Sequence, residues 1–324
     1  MNRFARFAWG VLLYELAVVA WGAYVRATGS GGGCGRHWPL CDGMIVPRAP
    51  GIAMLIELSH RVSSAGALVL SIVLVTWAFR AHPPRHPARR AAVATLALMV
   101  SEALIGAVLV LFELVALDAS LRRAVSVSLH LVNTFLLLAS TALTAWWSSG
   151  GARIRLRGQG GVAWMFALSL GALLFVGAGG AVNALGDTLF PSASLSAGLT
   201  EDFAPGAQLF VRLRVFHPLL AAATAAIIVV TLGLARGVRP TRAVRILAGA
   251  TTALVVSQAA VGILNVIALA PIGLQLAHLV VADALWILLV LAAAAALAPA
   301  PSVTPLPIDP ADPSQGPTDG VPST

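Results

Sequence analysis

The chain has 324 residues, 58% of them hydrophobic and 10% charged, with a formal net charge of +8 carried entirely by arginine among its basic residues. So apolar a composition excludes an ordinary soluble enzyme. The arginines are dispersed between apolar stretches instead of gathered on one face, which excludes a nucleic-acid-binding surface.

Eight apolar stretches of about 20 residues, the length that crosses ~30 Å of hydrocarbon, are predicted at 7–26, 54–79, 89–112, 124–147, 162–182, 209–234, 243–268 and 274–299. The first follows Arg3 and Arg6 and continues to Val25 without a small-residue cleavage site, so it reads as a retained anchor and not as a signal peptide. Arginines then cluster in alternate connections: Arg80, Arg85, Arg89 and Arg90; Arg153, Arg155 and Arg157; Arg236, Arg239, Arg242 and Arg245. The positive-inside rule puts these connections and both termini in the cytoplasm. Segments 27–53, 113–123, 183–208 and 269–273 then face outward.

The first outer segment reads GSGGGCGRHWPLCDG and holds the only two cysteines, Cys34 and Cys41. A pair in an oxidising compartment reads as a disulfide. It is either a staple for the loop or, in so glycine-rich and exposed a segment, a reducible redox pair. The spacing is not the CxxCH of covalent haem attachment. The second span brings Glu57, His60 and Arg61 into one helical neighbourhood, either as a Glu57–Arg61 ion pair near the membrane interface or as a carboxylate held one turn from a functional histidine. Further histidines stand at His130, His217 and His278, near the outer ends of spans four, six and eight. Histidine is costly at membrane depth and calls for a reason. His82 and His86 lie in a cytoplasmic loop and His37 in the outer loop, and none of these is assigned chemistry. Glu15, Glu102 and Asp283 also lie at membrane depth, with inter-helix packing as the default. From residue 300 the chain is rich in proline and acid, which predicts a disordered cytoplasmic tail over 300–324.

The halves repeat. GAYVRATG from Gly22 aligns with GAVNALGD from Gly180, and LSHRVSSAGAL with VFHPLLAAATA. SEALIGAVL from Ser101 aligns with SQAAVGILN from Ser257, and SLHLVNTFLLL with LAHLVVADALW. Four spans per half give both repeats one orientation. The predicted fold is therefore an all-α membrane protein: eight transmembrane helices as two tandem, pseudo-symmetric four-helix bundles, 1–147 and 148–299. Each half places two histidines on different helices near the outer face, as axial ligation of a haem iron from both sides requires. Arg61, with Arg26, Arg212 and Arg214, has the planar fork that suits porphyrin propionates.

The phrase GAYVRATGSGGGCGRHWPLCDG, followed by IELSHR and the SLH, VFH and LAH helices, resembles the haem A synthase family over residues 7–299. The resemblance implies a multi-pass enzyme of the cell inner (plasma) membrane, with its haem sites towards the outer face. It implies oxidation of the C8 methyl of haem O to a formyl group through successive hydroxylations, with a bound haem b, for cytochrome oxidase assembly. By position, His60 and His130 are implied to hold the substrate haem and His217 and His278 the haem b. Glu57 is implied as the catalytic acid, and Cys34 and Cys41 as a pair acting in electron transfer or haem handover. Two departures stand out. The outer segment between spans five and six has no cysteine, and Tyr24 stands where the family phrase has an acid. The implied partners are haem O, a haem farnesyltransferase that makes it, the oxidase assembly machinery and the lipid bilayer, with no nucleic acid; homo-oligomer formation is left open. Two rivals share the four histidines: a di-haem b-type electron-transfer subunit, and a haem carrier without chemistry.

Overall fold

A computed structural model describes residues 1–299; the tail predicted over 300–324 lies outside them. Among the described residues all regular structure is helical, with eight helical spans long and apolar enough to cross a membrane. This is a multi-pass membrane protein, as the composition requires.

The helices are α1 (Arg3–Ala27), α2 (Ile52–Ala81), α3 (Pro87–Leu111), α4 (Leu121–Ser148), α5 (Gly161–Leu189), α6 (Leu195–Asp202), α7 (Leu209–Leu213), α8 (Phe216–Val238), α9 (Arg242–Ile267) and α10 (Ile272–Ala296). Local chemistry sets their ends. Asn2, Ser120 and Thr241 accept the backbone N–H groups of Ala5, Arg123 and Val244 as N-caps of α1, α4 and α9. α2 stops at Ala81, just before His82-Pro83-Pro84, where proline disfavours helical backbone in the residue preceding it. Pro87 then opens α3 at a position where a missing N–H costs nothing.

Two features depart from the predicted spans. The sixth is not one helix. It breaks after Leu213 and resumes at Phe216, because the Pro218 ring cannot share a continuous helix with the carbonyl four residues earlier, that of Arg214. The outer segment before it also folds into α6, capped by Ser194.

Helices α1 to α4 pack in ring order, with α4 closing on α1; α5, α8, α9 and α10 pack in a second ring, with α10 closing on α5. The rings meet where α4 lies against α5 and α10, and α1 against α10. α4 and α10 are the two most buried spans. Around them Phe135, Leu138 and Ala142 pack with Phe166, Ile228, Leu285, Leu289 and Ala292 in one core that runs across both rings. The Trp286 indole stacks on Phe135 with centroids 5.2 Å apart and donates to the Phe135 carbonyl. α3 and α4 are joined by buried hydroxyls, Thr95 to Ser140 at 3.0 Å and Thr141 to Thr95 at 3.4 Å.

Candidate functional site

The four histidines occupy the same end of the molecule. His60, His130, His217 and His278 are the ninth, tenth, ninth and seventh residues of their spans, counted from Ile52, Leu121, Leu209 and Ile272. At 1.5 Å per residue His60, His130 and His278 lie roughly 9–14 Å inside their helix starts, and His217 is the second residue of α8, just past the break. Each ring holds two of them, on α2 and α4 and on α8 and α10.

The two opening histidines share a kind of neighbour. A Cβ on Gly22 of α1 would stand 2.8 Å from His60 Cε1, and one on Gly180 of α5 would stand 2.9 Å from His217 Cε1. Glycine thus lets each imidazole lie flush against the preceding helix of its ring. These are the first residues of the aligned phrases GAYVRATG and GAVNALGD.

The closing histidines meet polar groups. His130 Nδ1 lies 3.5 Å from Glu102 Oε1 of α3. His278 Nε2 lies 3.1 Å from Gln258 Nε2 of α9. Ring centroids of His217 and His278 are 6.4 Å apart, their planes inclined at 73°.

Ligation of one iron by two imidazoles sets a distance that these contacts can be held against. Metal–imidazole bonds of about 2 Å on each side, with about 1.1 Å from nitrogen to ring centre, put two axial imidazoles roughly 6.3 Å apart between centres. The His217–His278 separation of 6.4 Å agrees. In addition, the Nδ1 atoms of His60 and His278 are buried without a hydrogen-bond partner, as befits rings whose role is not packing. The residues present fit a haem.

Beside His60 the first outer loop is clasped. Cys34 and Cys41 form a disulfide with Cα atoms 4.4 Å apart. Glu57 Oε2 accepts the Cys34 N–H at 2.7 Å, and its Oε1 pairs with the Arg61 guanidinium. The other arm of Arg61 donates to the His37 and Leu40 carbonyls, inside the disulfide ring. Gly33 lies so close to the start of α2 that a Cβ would meet the Ala53 backbone at 2.6 Å. Both cysteines are fully buried. The glycine-rich composition predicts a mobile loop with an exposed bridge; the fold instead buries the bridge, because two charged side chains of α2 bind the loop backbone.

Three of the four arginines predicted to meet propionates are otherwise engaged. Arg61 is committed to Glu57 and the loop. Arg26 donates to the Ala184 carbonyl at 2.8 Å, Thr188 Oγ1 at 3.0 Å and Gln275 Oε1 at 3.0 Å, across to the second ring. Arg214 binds the Gly186 carbonyl at 2.8 Å, the Phe190 carbonyl and Asp187 at 3.0 Å. Arg212 is exposed. Of the membrane-depth acids, Glu15 and Asp283 are buried with no hydrogen-bond partner on either oxygen. Glu102 instead accepts from Asn133 Nδ2 at 2.5 Å and from Thr134 Oγ1.

Sequence reasoning missed the contacts of Glu102 and Gln258 with the histidines, although the aligned phrases SEALIGAVL and SQAAVGILN contain both residues. It also foresaw no contact for His82 and His86. His82 and His86 stack with centroids 4.1 Å apart, and His82 Nε2 lies 3.0 Å from Ser148 Oγ at the end of α4.

Residues 5–290 match the family described as cytochrome oxidase assembly protein, COX15-CtaA. A protein of Thermus thermophilus named protoheme IX farnesyltransferase is 48% identical over 292 residues, 90% of this chain and 48% of its own length. The chain thus spans about half the length of that relative. Proteins named heme A synthase from Geobacillus kaustophilus and Alkalihalophilus pseudofirmus are 42% and 39% identical over 106 and 97 residues, about a third of each chain.

Proposed function

Since this chain belongs to the COX15-CtaA family of cytochrome oxidase assembly proteins, we propose that it is a haem A synthase, a haem-dependent oxidoreductase that converts haem O to haem A. The observation that carries the reading is the pairing of histidines in each ring, with Glu57 one turn from His60. The heme A synthase relatives support it.

In this reading His60 and His130 hold the substrate, haem O, in the first ring, with its apolar side chains among the helix faces. His217 and His278 hold a haem b in the second. That group, when bound, supplies one-electron redox chemistry. The C8 methyl would be hydroxylated twice, each step taking one oxygen from water and releasing two electrons and two protons to an external electron acceptor by way of the second ring, and the resulting gem-diol would lose water to leave the formyl group. Glu57 is the nearest carboxylate to the first pair along α2, and through Arg61 and the Cys34 N–H it is held by the disulfide loop. Its role is to take a proton or stabilise positive charge as the methyl is oxidised. The loop keeps bulk water from that carboxylate.

The partners follow from the chemistry. Haem O is made by farnesyl transfer to a protohaem. The Thermus relative carries the farnesyltransferase name on a chain about twice the matched length, which supports a haem farnesyltransferase as the immediate supplier. Arginine-rich connections support cytoplasmic termini in the plasma membrane, with both histidine pairs towards the outer face.

The test is expression with a haem farnesyltransferase, followed by extraction and chromatography of haems from wild type and Glu57→Gln. Wild type is expected to yield haem A; the variant is expected to keep its bound haem and to yield at least tenfold less product. Haem O left unconverted by wild type in competent cells would replace this reading with the carrier or electron-transfer one. Full conversion by Glu57→Gln would remove Glu57 from the chemistry.

A further inference from the structure

The two closing histidines occupy equivalent places but face chemically different neighbours. Glu102 of α3 and Gln258 of α9 are each the second residue of an aligned phrase, SEALIGAVL and SQAAVGILN. Each lies against the histidine of the next helix, Glu102 at Nδ1 of His130 and Gln258 at Nε2 of His278, whose Nδ1 is left without a partner. One neighbour is a carboxylate and the other a neutral amide.

The carboxylate is firmly placed. Asn133 Nδ2 donates to Glu102 Oε2 at 2.5 Å and also to the Leu98 carbonyl at 3.0 Å. Thr134 donates to Glu102 Oε1 and to the His130 carbonyl at 2.9 Å. Three groups of α4 therefore surround one carboxylate of α3, and the third is His130 Nδ1, 3.5 Å from Glu102 Oε1 in charge contact but outside hydrogen-bond geometry. Among the described residues no arginine pairs with Glu102. A carboxylate beside the second nitrogen of an imidazole makes the ring a stronger donor to a metal on its other nitrogen. A stronger axial donor favours the oxidised iron and lowers its potential.

We propose that Glu102 is a positioning residue that makes the first histidine pair a lower-potential haem site than the second, where Gln258 brings no charge to His278. The inference rests on the haem reading above and gives it a direction. Electrons leaving a substrate oxidised in the first ring find the higher-potential site in the second.

The experiment is a redox titration of the full chain loaded with haem b, followed by absorbance. A His278→Ala variant assigns the two waves, because it removes the second-ring wave alone. Wild type is expected to show the first-ring wave at the lower potential. Glu102→Gln is expected to raise that wave by at least a tenfold change in its reduction equilibrium, ~59 mV for one electron, without moving the other. Gln258→Glu is expected to lower the second-ring wave by a similar amount, and Glu102→Asp to stay near wild type. A Glu102 that only pins α3 to α4 would reduce thermal stability on substitution and leave both waves in place; that result overturns the proposal. Should Glu102→Gln lose first-ring haem altogether, Gln258→Glu decides, and an unmoved second wave overturns it. Failure of wild type to take up haem at either pair would overturn the haem reading itself, an outcome distinct from two bound haems that ignore residues 102 and 258.

Discussion

Gly22 and Gly180 carry no chemistry, yet they decide where two proposed ligands sit. A methyl group at either position would stand under 3.0 Å from the Cε1 of its histidine, and the imidazole is the movable partner, since the opposing surface is a helix backbone. Gly22→Ala is therefore expected to rotate His60 while sparing the fold, and Gly180→Ala to do the same to His217. A displaced ligand costs roughly 10–100-fold in affinity for its metal group, whereas the helix itself gains up to ~1 kcal/mol from alanine. Each variant should lose haem from one ring only, with thermal stability of the haem-free chain unchanged or higher. Equal haem content in wild type and both variants, measured by absorbance after purification, would count against ligation by His60 and His217. The positions three residues before these histidines make a second comparison. Glu57 binds the first outer loop from α2, and Arg214 binds the end of α5 from the head of α8. The charge is reversed and the role, tying the outer segment to a histidine-bearing helix, is shared. Alignment of the halves displays the glycines and the opposed charges. It does not display their contacts, which depend on how closely α1 approaches α2 and α5 approaches α8.

Helix existence was legible throughout, because 20-residue apolar runs bounded by arginine or proline leave one solution in a bilayer. The break between α7 and α8 was not. Hydropathy is continuous across 209–238, and only the sterics of Pro218 interrupt the helix. Arg214 secures that break, with its side chain 11% exposed and paired to Asp187. Arg214→Ala strands this carboxylate and the Gly186 and Phe190 carbonyls, and is expected to cost about 3 kcal/mol; Arg214→Lys, a cation without the fork, should recover only part of that. A Tm for Arg214→Ala indistinguishable from that of wild type would refute the assignment. The inner ends of the helices hold a second feature that hydropathy hides. Burial lowers the pKa of His82, assisted by the charges of His86 and Arg89, and burial lowers that of His86, assisted by Arg153 and Arg89. Both imidazoles thus protonate less readily in the fold than in an opened chain, where they take up protons near pH 6.5. Stability conferred by this pair is complete above about pH 6.5 and is lost as the pH falls below it, since the opened state then binds more protons. Thermal melts at about pH 7.5 and about pH 5.5, on either side of that value, should show a loss in wild type that shrinks in His82→Gln/His86→Gln; an identical loss in both would place the acid sensitivity elsewhere.

Two rings that each hold a partly buried histidine pair pose a question of coupling, and the junction between them is sparse in polar contacts. Most of it is the apolar packing of α4 and α10, which holds halves together without orienting them. Orientation comes from Trp286, which reaches the Phe135 carbonyl, and above all from Arg26. From the outer end of α1 the Arg26 guanidinium donates to α5 through Ala184 and Thr188, and to α10 through Gln275. In a hydrocarbon environment none of these acceptors finds water once the arginine is gone. This explains why an arginine suited by chemistry to a propionate is found instead between helices. Its fork matches three fixed acceptors about one helical turn beyond Gly22, the residue that lies against His60. Arg26→Met retains an unbranched apolar stem and removes the donors, at an expected cost of about 3 kcal/mol for hydrogen bonds to a charged group. Because the loss falls at the junction and not within either ring, the consequence should be a change in cooperativity as well as in Tm. Wild type is expected to melt in a single transition in which both haem signals and helicity disappear together. Arg26→Met is expected to separate the signals, with one ring releasing its haem at a lower temperature than the other. Trp286→Phe, which keeps the stack on Phe135 and loses one hydrogen bond, should lower Tm by less and leave the signals together. A single coincident transition in Arg26→Met at the wild-type temperature would show that apolar packing alone couples the rings, and would leave Arg26 free for a propionate.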